Sequence, residues 1–253
     1  MNTTYPLARE RNLILGGLLL LAAAGWAILI WQSRTMNDEM GLTMGLGAPV
    51  FIAIWVVMMI AMMFPTAAPM ILTFARVQAN RAGRGQEIVP TWLFTLAYLV
   101  LWTGAGILAY AIAVLGDRGA DHWMWLMDHA AEIGGVVLIV AGAYQLTPLK
   151  NVCLSKCRTP TSYILSGWRE GHLGALRMGL EHGAYCLGCC WLLFAILFPL
   201  GMMNVIALAL ITLLVFAEKS LAIGPALGKA AALGLIAYGI VVIVHPDALP
   251  TMM

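Results

Sequence analysis

The chain has 253 residues, of which 62% are hydrophobic and only 10% charged, and its mean hydropathy is +0.88. An ordinary soluble domain carries about 25% charged residues, so the composition excludes that class and points to an all-α, polytopic transmembrane helix bundle. The formal net charge of +2 says little about partners, and no nucleic acid is expected among them.

Residues 12–32 form the first expected span, since about 20 apolar residues cross a bilayer core. Arg9 and Arg11 precede it, and with no A-x-A-like cleavage site it reads as a retained helix. Met36, Met40 and Met44 follow at a spacing of four. On a helix they would share a face, either as adaptable filler of an interfacial turn or as a pick-up site for a soft metal. Residues 48–77 form a second span, long and broken by Pro65 and Pro69. Within it Met58 and Met62 share one face, and Met59 and Met63 another. They are either packing filler or a ligand-lined wall beside the kink.

A polar loop at 78–90 leads to a third span, 91–115, which contains Tyr98 and Trp102. The 116–129 loop is acidic and holds His122, Trp123, Met124, Trp125, Met127 and His129. Its two tryptophans suit a headgroup anchor; the other reading is a second surface metal contact. The fourth span is 131–149. The 150–172 segment is expected as a cytoplasmic loop with Lys150, Lys156, Arg158 and Arg169 around Cys153 and Cys157. A fifth span is centred on 177–199, a sixth and short one on 205–217, and a seventh on 227–244. Lys and Arg concentrate in alternate connections, which fits seven spans with the N-terminus cytoplasmic; six spans result if the last two runs act as one element. The whole chain, 1–253, reads as a single integral membrane domain.

The fifth span carries the densest chemistry. Met178, His182, Cys186 and Cys190 recur every four residues, with Cys189 beside the same stripe and Glu181 next to His182. Residues at i and i+4 share a helix face, and ionisable groups inside a bilayer mark functional sites by default. The alternative is small cysteines packing at a Gly-rich interface, which leaves His182 and Glu181 without an account. Cys153 and Cys157 are spaced so that one helix face could offer both sulfurs to one ion; Lys156 and Arg158 beside them favour thiolate. The alternative is two free thiols in a reducing compartment. An odd count of five cysteines argues against a secreted disulfide framework.

Three motifs resemble a bacterial domain-of-unknown-function family, number 2182, described as predicted metal-binding integral membrane proteins. The first is Met58-Met59-x-Ala61-Met62-Met63-x-Pro65-x-x-x-Pro69. The second is Gln145-Leu-Thr-Pro-Leu-Lys150 with Cys153 and Cys157. The third is Gly183-x-x-Cys186-x-Gly188-Cys189-Cys190-Trp191, followed by Gly201-Met-Met-Asn204 and Glu218. The resemblance covers nearly the whole chain after the first span. It implies metal binding in a bacterial cytoplasmic membrane and supplies no reaction.

Thiolate and thioether ligands select Cu(I), whereas hard ions need oxygen cages. Copper as Cu(I) is therefore the expected ion, with zinc the alternative through Cys and His. The candidate ligands are Met58, Met62, Cys153, Cys157, Met178, Glu181, His182, Cys186, Cys189 and Cys190. Three function classes stay open: copper transport or delivery to a membrane or periplasmic partner protein, a thiol or copper oxidoreductase coupled to quinone, and a structural subunit of a larger membrane complex. A second copy of the chain is a further candidate partner.

Overall fold

The computed structural model describes residues 4–35 and 41–250, and these contain helices and no strand. Met36 and Met40 lie outside them. The helices are α1 Thr4–Thr35, α2 Ala48–Ala82, α3 Thr91–His122, α4 Met124–Asp128, α5 Ala130–Gln145, α6 Pro148–Arg158, α7 Pro160–Ser166, α8 Gly171–Ala195, α9 Leu197–Leu200, α10 Val205–Ser220 and α11 Gly224–Val244. Five of the described stretches are long and apolar enough to cross a membrane: Ala8–Thr35, Ala48–Ala82, Thr91–Ala120, Gly171–Leu200 and Gly224–Val244. By length and composition this is a membrane protein.

Two sequence expectations change in detail. The seven-span reading needs α5 and α10 as spans, and at 16 residues each falls short of an upright crossing. The described residues therefore supply five helices long and apolar enough to cross, or six if α5 and α6 count as one bent element. The second span is also not interrupted: α2 runs through Pro65 and Pro69 as one helix of 35 residues. A proline withdraws one backbone donor, and nearby hydroxyls can occupy carbonyls in such a stretch. Thr66 Oγ1 donates to the Met63 carbonyl at 2.9 Å and Thr73 Oγ1 to that of Pro69 at 2.7 Å.

The 150–172 segment is helical over most of its length. The chain turns 63° between α5 and α6. The turn is written locally: Thr147 caps α6 by accepting from the Lys150 N–H at 3.3 Å, and Pro148 occupies the first turn, where its missing donor costs nothing. At the other end of the site, Asn204 Oδ1 caps α10 by accepting from Ile206 and Ala207 N–H, both at 3.1 Å.

Helix α8 packs on α3 and α6, α10 on α11, and α5 on α11. The last contact is a close backbone approach. A Cβ on Gly239 would lie 2.6 Å from the Gly135 carbonyl oxygen, and one on Gly135 would lie 2.8 Å from that of Gly239. Mutual glycines of this kind let two apolar helices gain dispersion contact where lipid gives no hydrophobic drive. Met58, Met59, Met62 and Met63 are all fully buried in α2, inside the same apolar core that holds Cys186.

Candidate metal centre

The inward face of α8 is the stripe that its spacing predicts. Met178, His182, Cys186, Cys189 and Cys190 are each buried. Glu181 is not part of that face. Its side chain is 37% exposed and accepts from Arg169 and Arg177, both at 3.0 Å. One residue along a helix is about 100° of rotation, so the neighbour of His182 in sequence points elsewhere and is occupied by arginines.

The cysteine sulfurs come from two helices, α6 and α8. Cys157, on the last turn of α6, packs against the apolar core that holds Cys186, Cys189 and Cys190. The Cys189 and Cys190 thiols donate to the Cys186 carbonyl at 3.0 and 2.8 Å. Cys153 sits lower on α6 against Gly188; a Cβ there would come 2.8 Å from its Sγ, so α6 can approach α8 only because residue 188 has no side chain. All five cysteines are free.

Cys186 is the hub. Its Sγ accepts from Lys219 Nζ at 3.0 Å, across from α10, and lies 3.1 Å from Tyr98 Oη on α3. Lys219 and its neighbour Glu218 are both buried. Glu218 takes the buried ammonium of Lys150 at 2.5 Å, while its backbone carbonyl accepts from Arg158 at 2.7 Å. These contacts pull the C-terminal end of α10 onto α6, where Cys157 resides. Lys150 and Lys219 are thus interior charges, and the loop count that set the orientation loses both.

His182 lies one turn from Cys186 in an aromatic box. Its ring is stacked with Phe94 at 6.0 Å and Tyr98 at 5.5 Å, and Tyr163 sits tilted at 5.9 Å. Neither ring nitrogen has a hydrogen-bond partner among the described residues. Buried polar groups are nearly always partnered, so an imidazole with two orphan nitrogens needs an explanation. Tyr163, on α7 outside the spans, is itself held as a neutral donor because burial pushes its phenol up; it reaches the Met178 carbonyl at 3.4 Å.

The remaining sequence candidates lie on other elements. Met58 and Met62 lie on α2, which packs mainly on α1, α3, α7 and α10, and are buried in the same apolar core as Cys186. The distal histidines keep to their own turns: Nδ1 of His122 meets the Arg118 carbonyl at 2.8 Å, and that of His129 the Trp125 carbonyl at 2.9 Å. Trp123 and Trp125 around them are exposed, as a headgroup anchor requires. Lys219 and Tyr98 at the centre were not marked as functional by the sequence, and Lys150 and Glu218 entered only as motif positions. The signal of Glu218 and Lys219, charged residues ending a short apolar run, reads equally well as a loop.

The donor chemistry of thiols beside an unpartnered imidazole suits a soft ion. Among the described residues, no three His, Cys, Asp or Glu side chains surround one ion-sized point. The sulfurs are turned to carbonyls, to Lys219 and to one another. Binding at this centre therefore requires thiol rotation and proton loss.

A family model for PpoB2, described as a copper chaperone, matches residues 52–242. The metal expectation carried by the motifs is narrowed by that match to copper, under a different family name from the numbered one. No curated protein and no solved structure matches the chain.

Proposed function

The chain belongs to the PpoB2 family of copper chaperones, and from that premise we propose that it carries Cu(I) as cargo at the α6–α8 thiol cluster within the membrane and delivers it to a partner protein. Cys186 is the central ligand. Cys157 or Cys189 is the second thiol placed to join it, and His182 is the neutral nitrogen donor one turn away. The observation that carries this reading is the gathering of the Cys189 and Cys190 thiols at Cys186, one turn from an imidazole whose nitrogens have no hydrogen-bond partner among the described residues. Soft sulfur ligands favour Cu(I) and Zn(II) over hard ions, and the family description favours copper. A centre short of a closed three- or four-ligand cage also suits a carrier, which must let go. The setting is a bacterial cytoplasmic membrane with the N-terminus inside, and zinc is the competing ion.

The test is elemental mass spectrometry on protein purified in detergent and loaded under reducing conditions. Wild type should hold near-stoichiometric copper; Cys186→Ser and His182→Ala should each lose most of it. Copper at the wild-type level in Cys186→Ser would sink the assignment. Zinc in place of copper would support a structural site. Metal-free protein with Cys157 joined to Cys186 in a disulfide would support thiol redox chemistry coupled to quinone.

A further inference from the structure

A buried lysine that donates to a cysteine sulfur is costly unless it has a purpose, because an ammonium loses its hydration on leaving water. Lys219 is buried, and its nearest acceptor is Cys186 Sγ at 3.0 Å. The carboxylates on the neighbouring turns do not neutralise it. Glu218 is committed to Lys150, and Glu181 to Arg169 and Arg177. The Lys219 ammonium therefore faces the sulfur of Cys186. The thiol cluster thus carries a built-in fixed positive charge.

We infer that Lys219 is a specificity-determining counter-ion: it makes the cluster accept a monovalent soft cation held between two thiolates and reject a divalent one. This rests on the proposed cargo site and assigns its selectivity to a residue that is not a ligand. The argument is one of charge. Each thiol that binds gives up its proton as it becomes a thiolate. Two thiolates around a monovalent cation leave one net negative charge, and Lys219 cancels it in place. Two thiolates around a divalent cation are already neutral, and the ammonium is left uncompensated inside the protein. Close opposite charges interact far more strongly in a protein interior than in water. Zn(II) forms strong thiolate complexes and competes for any such pair. A fixed cation beside the sulfurs discriminates by charge where sulfur softness alone discriminates weakly.

The experiment is a competition on the full chain in detergent. Cu(I) and Zn(II) are offered together under reducing conditions, with free dithiothreitol as the reference ligand, and bound metal is read by elemental mass spectrometry. Wild type and Lys219→Arg should show the same Cu(I)-over-Zn(II) preference relative to dithiothreitol. Lys219→Gln, uncharged and without sulfur, should lose about tenfold or more of that preference. A wild-type ratio in folded Lys219→Gln overturns the inference while leaving the cargo site standing. A second measurement needs no variant: wild type should favour Ag(I) over Cd(II) more strongly than dithiothreitol does, and equal discrimination overturns the inference. Failure of wild type to bind either Cu(I) or Ag(I) overturns the cargo site and the inference together.

Discussion

At the scale of single residues, His182 separates stability from function. Its two orphan nitrogens are buried among Phe94, Tyr98 and Tyr163. An unsatisfied buried polar group costs about 1–3 kcal/mol, and an aromatic box is a good home for another ring. His182→Phe is therefore expected to raise the unfolding temperature in detergent and to lower copper occupancy in the same preparation. A lower unfolding temperature with copper unchanged would make His182 a packing residue. Met58 and Met62 make the opposite case. They are fully buried on a helix that packs mainly on other elements than α8. Exchange of both for Leu should cost less than about 1.5 kcal/mol and leave copper content at the wild-type value; loss of copper would return them to the ligand path.

At the scale of elements, the position of α6 decides whether Cys157 meets α8. A two-residue junction after the 63° turn gives α6 no rigid continuity with α5. Its hold on α10 comes from Lys150–Glu218 and from Arg158, whose guanidinium donates to the carbonyls of Glu218 and Leu221 at 2.7 and 3.0 Å. Removing one partner of a buried pair leaves a bare charge and costs about 3–5 kcal/mol, whereas replacing both by apolar groups is often neutral. Glu218→Gln should lower thermal stability by that order and increase amide exchange across 148–158. The double exchange of Lys150→Met and Glu218→Leu should recover most of the stability. If the double variant stays as unstable as Glu218→Gln, the pair is more than a brace.

At the scale of the whole molecule, the bundle was legible in composition and the cluster was half legible. Apolar runs bounded by polar connections mark α1, α2, α3, α8 and α11 because a bilayer demands their length. The Met178–His182–Cys186–Cys190 stripe could be read because a helix turns in a fixed period, and the same period explains why Glu181 was misplaced beside it. Tertiary pairing has no such local code. Lys219 meets Cys186 across 33 residues, and Lys150 meets Glu218 across 68. A lysine at the end of an apolar run looks the same in sequence whether it faces water or a thiol. The bend after α5 was hidden for a related reason: Thr147-Pro148 announces a helix start without saying in which direction that helix will go. The α5–α11 contact gives this scale its own prediction. Gly239→Val would push a side chain into the Gly135 carbonyl and should cost about 1–3 kcal/mol, seen as earlier unfolding in detergent with copper binding intact in the folded fraction.

The neighbouring charges Glu218 and Lys219 also bear on how the chain is made. Charged side chains oppose entry into lipid, Glu218 and Lys219 both lie in the last turn of α10, and α10 is only 16 residues long. On its own it is a poor candidate for insertion. The groups that neutralise it, Lys150 on α6 and Cys186 on α8, both precede it in the chain. They have left the ribosome before α10 emerges, so its charges find partners on arrival. Order of synthesis is thus matched to order of need: the segment least able to enter the bilayer alone comes after the helices that make its entry affordable.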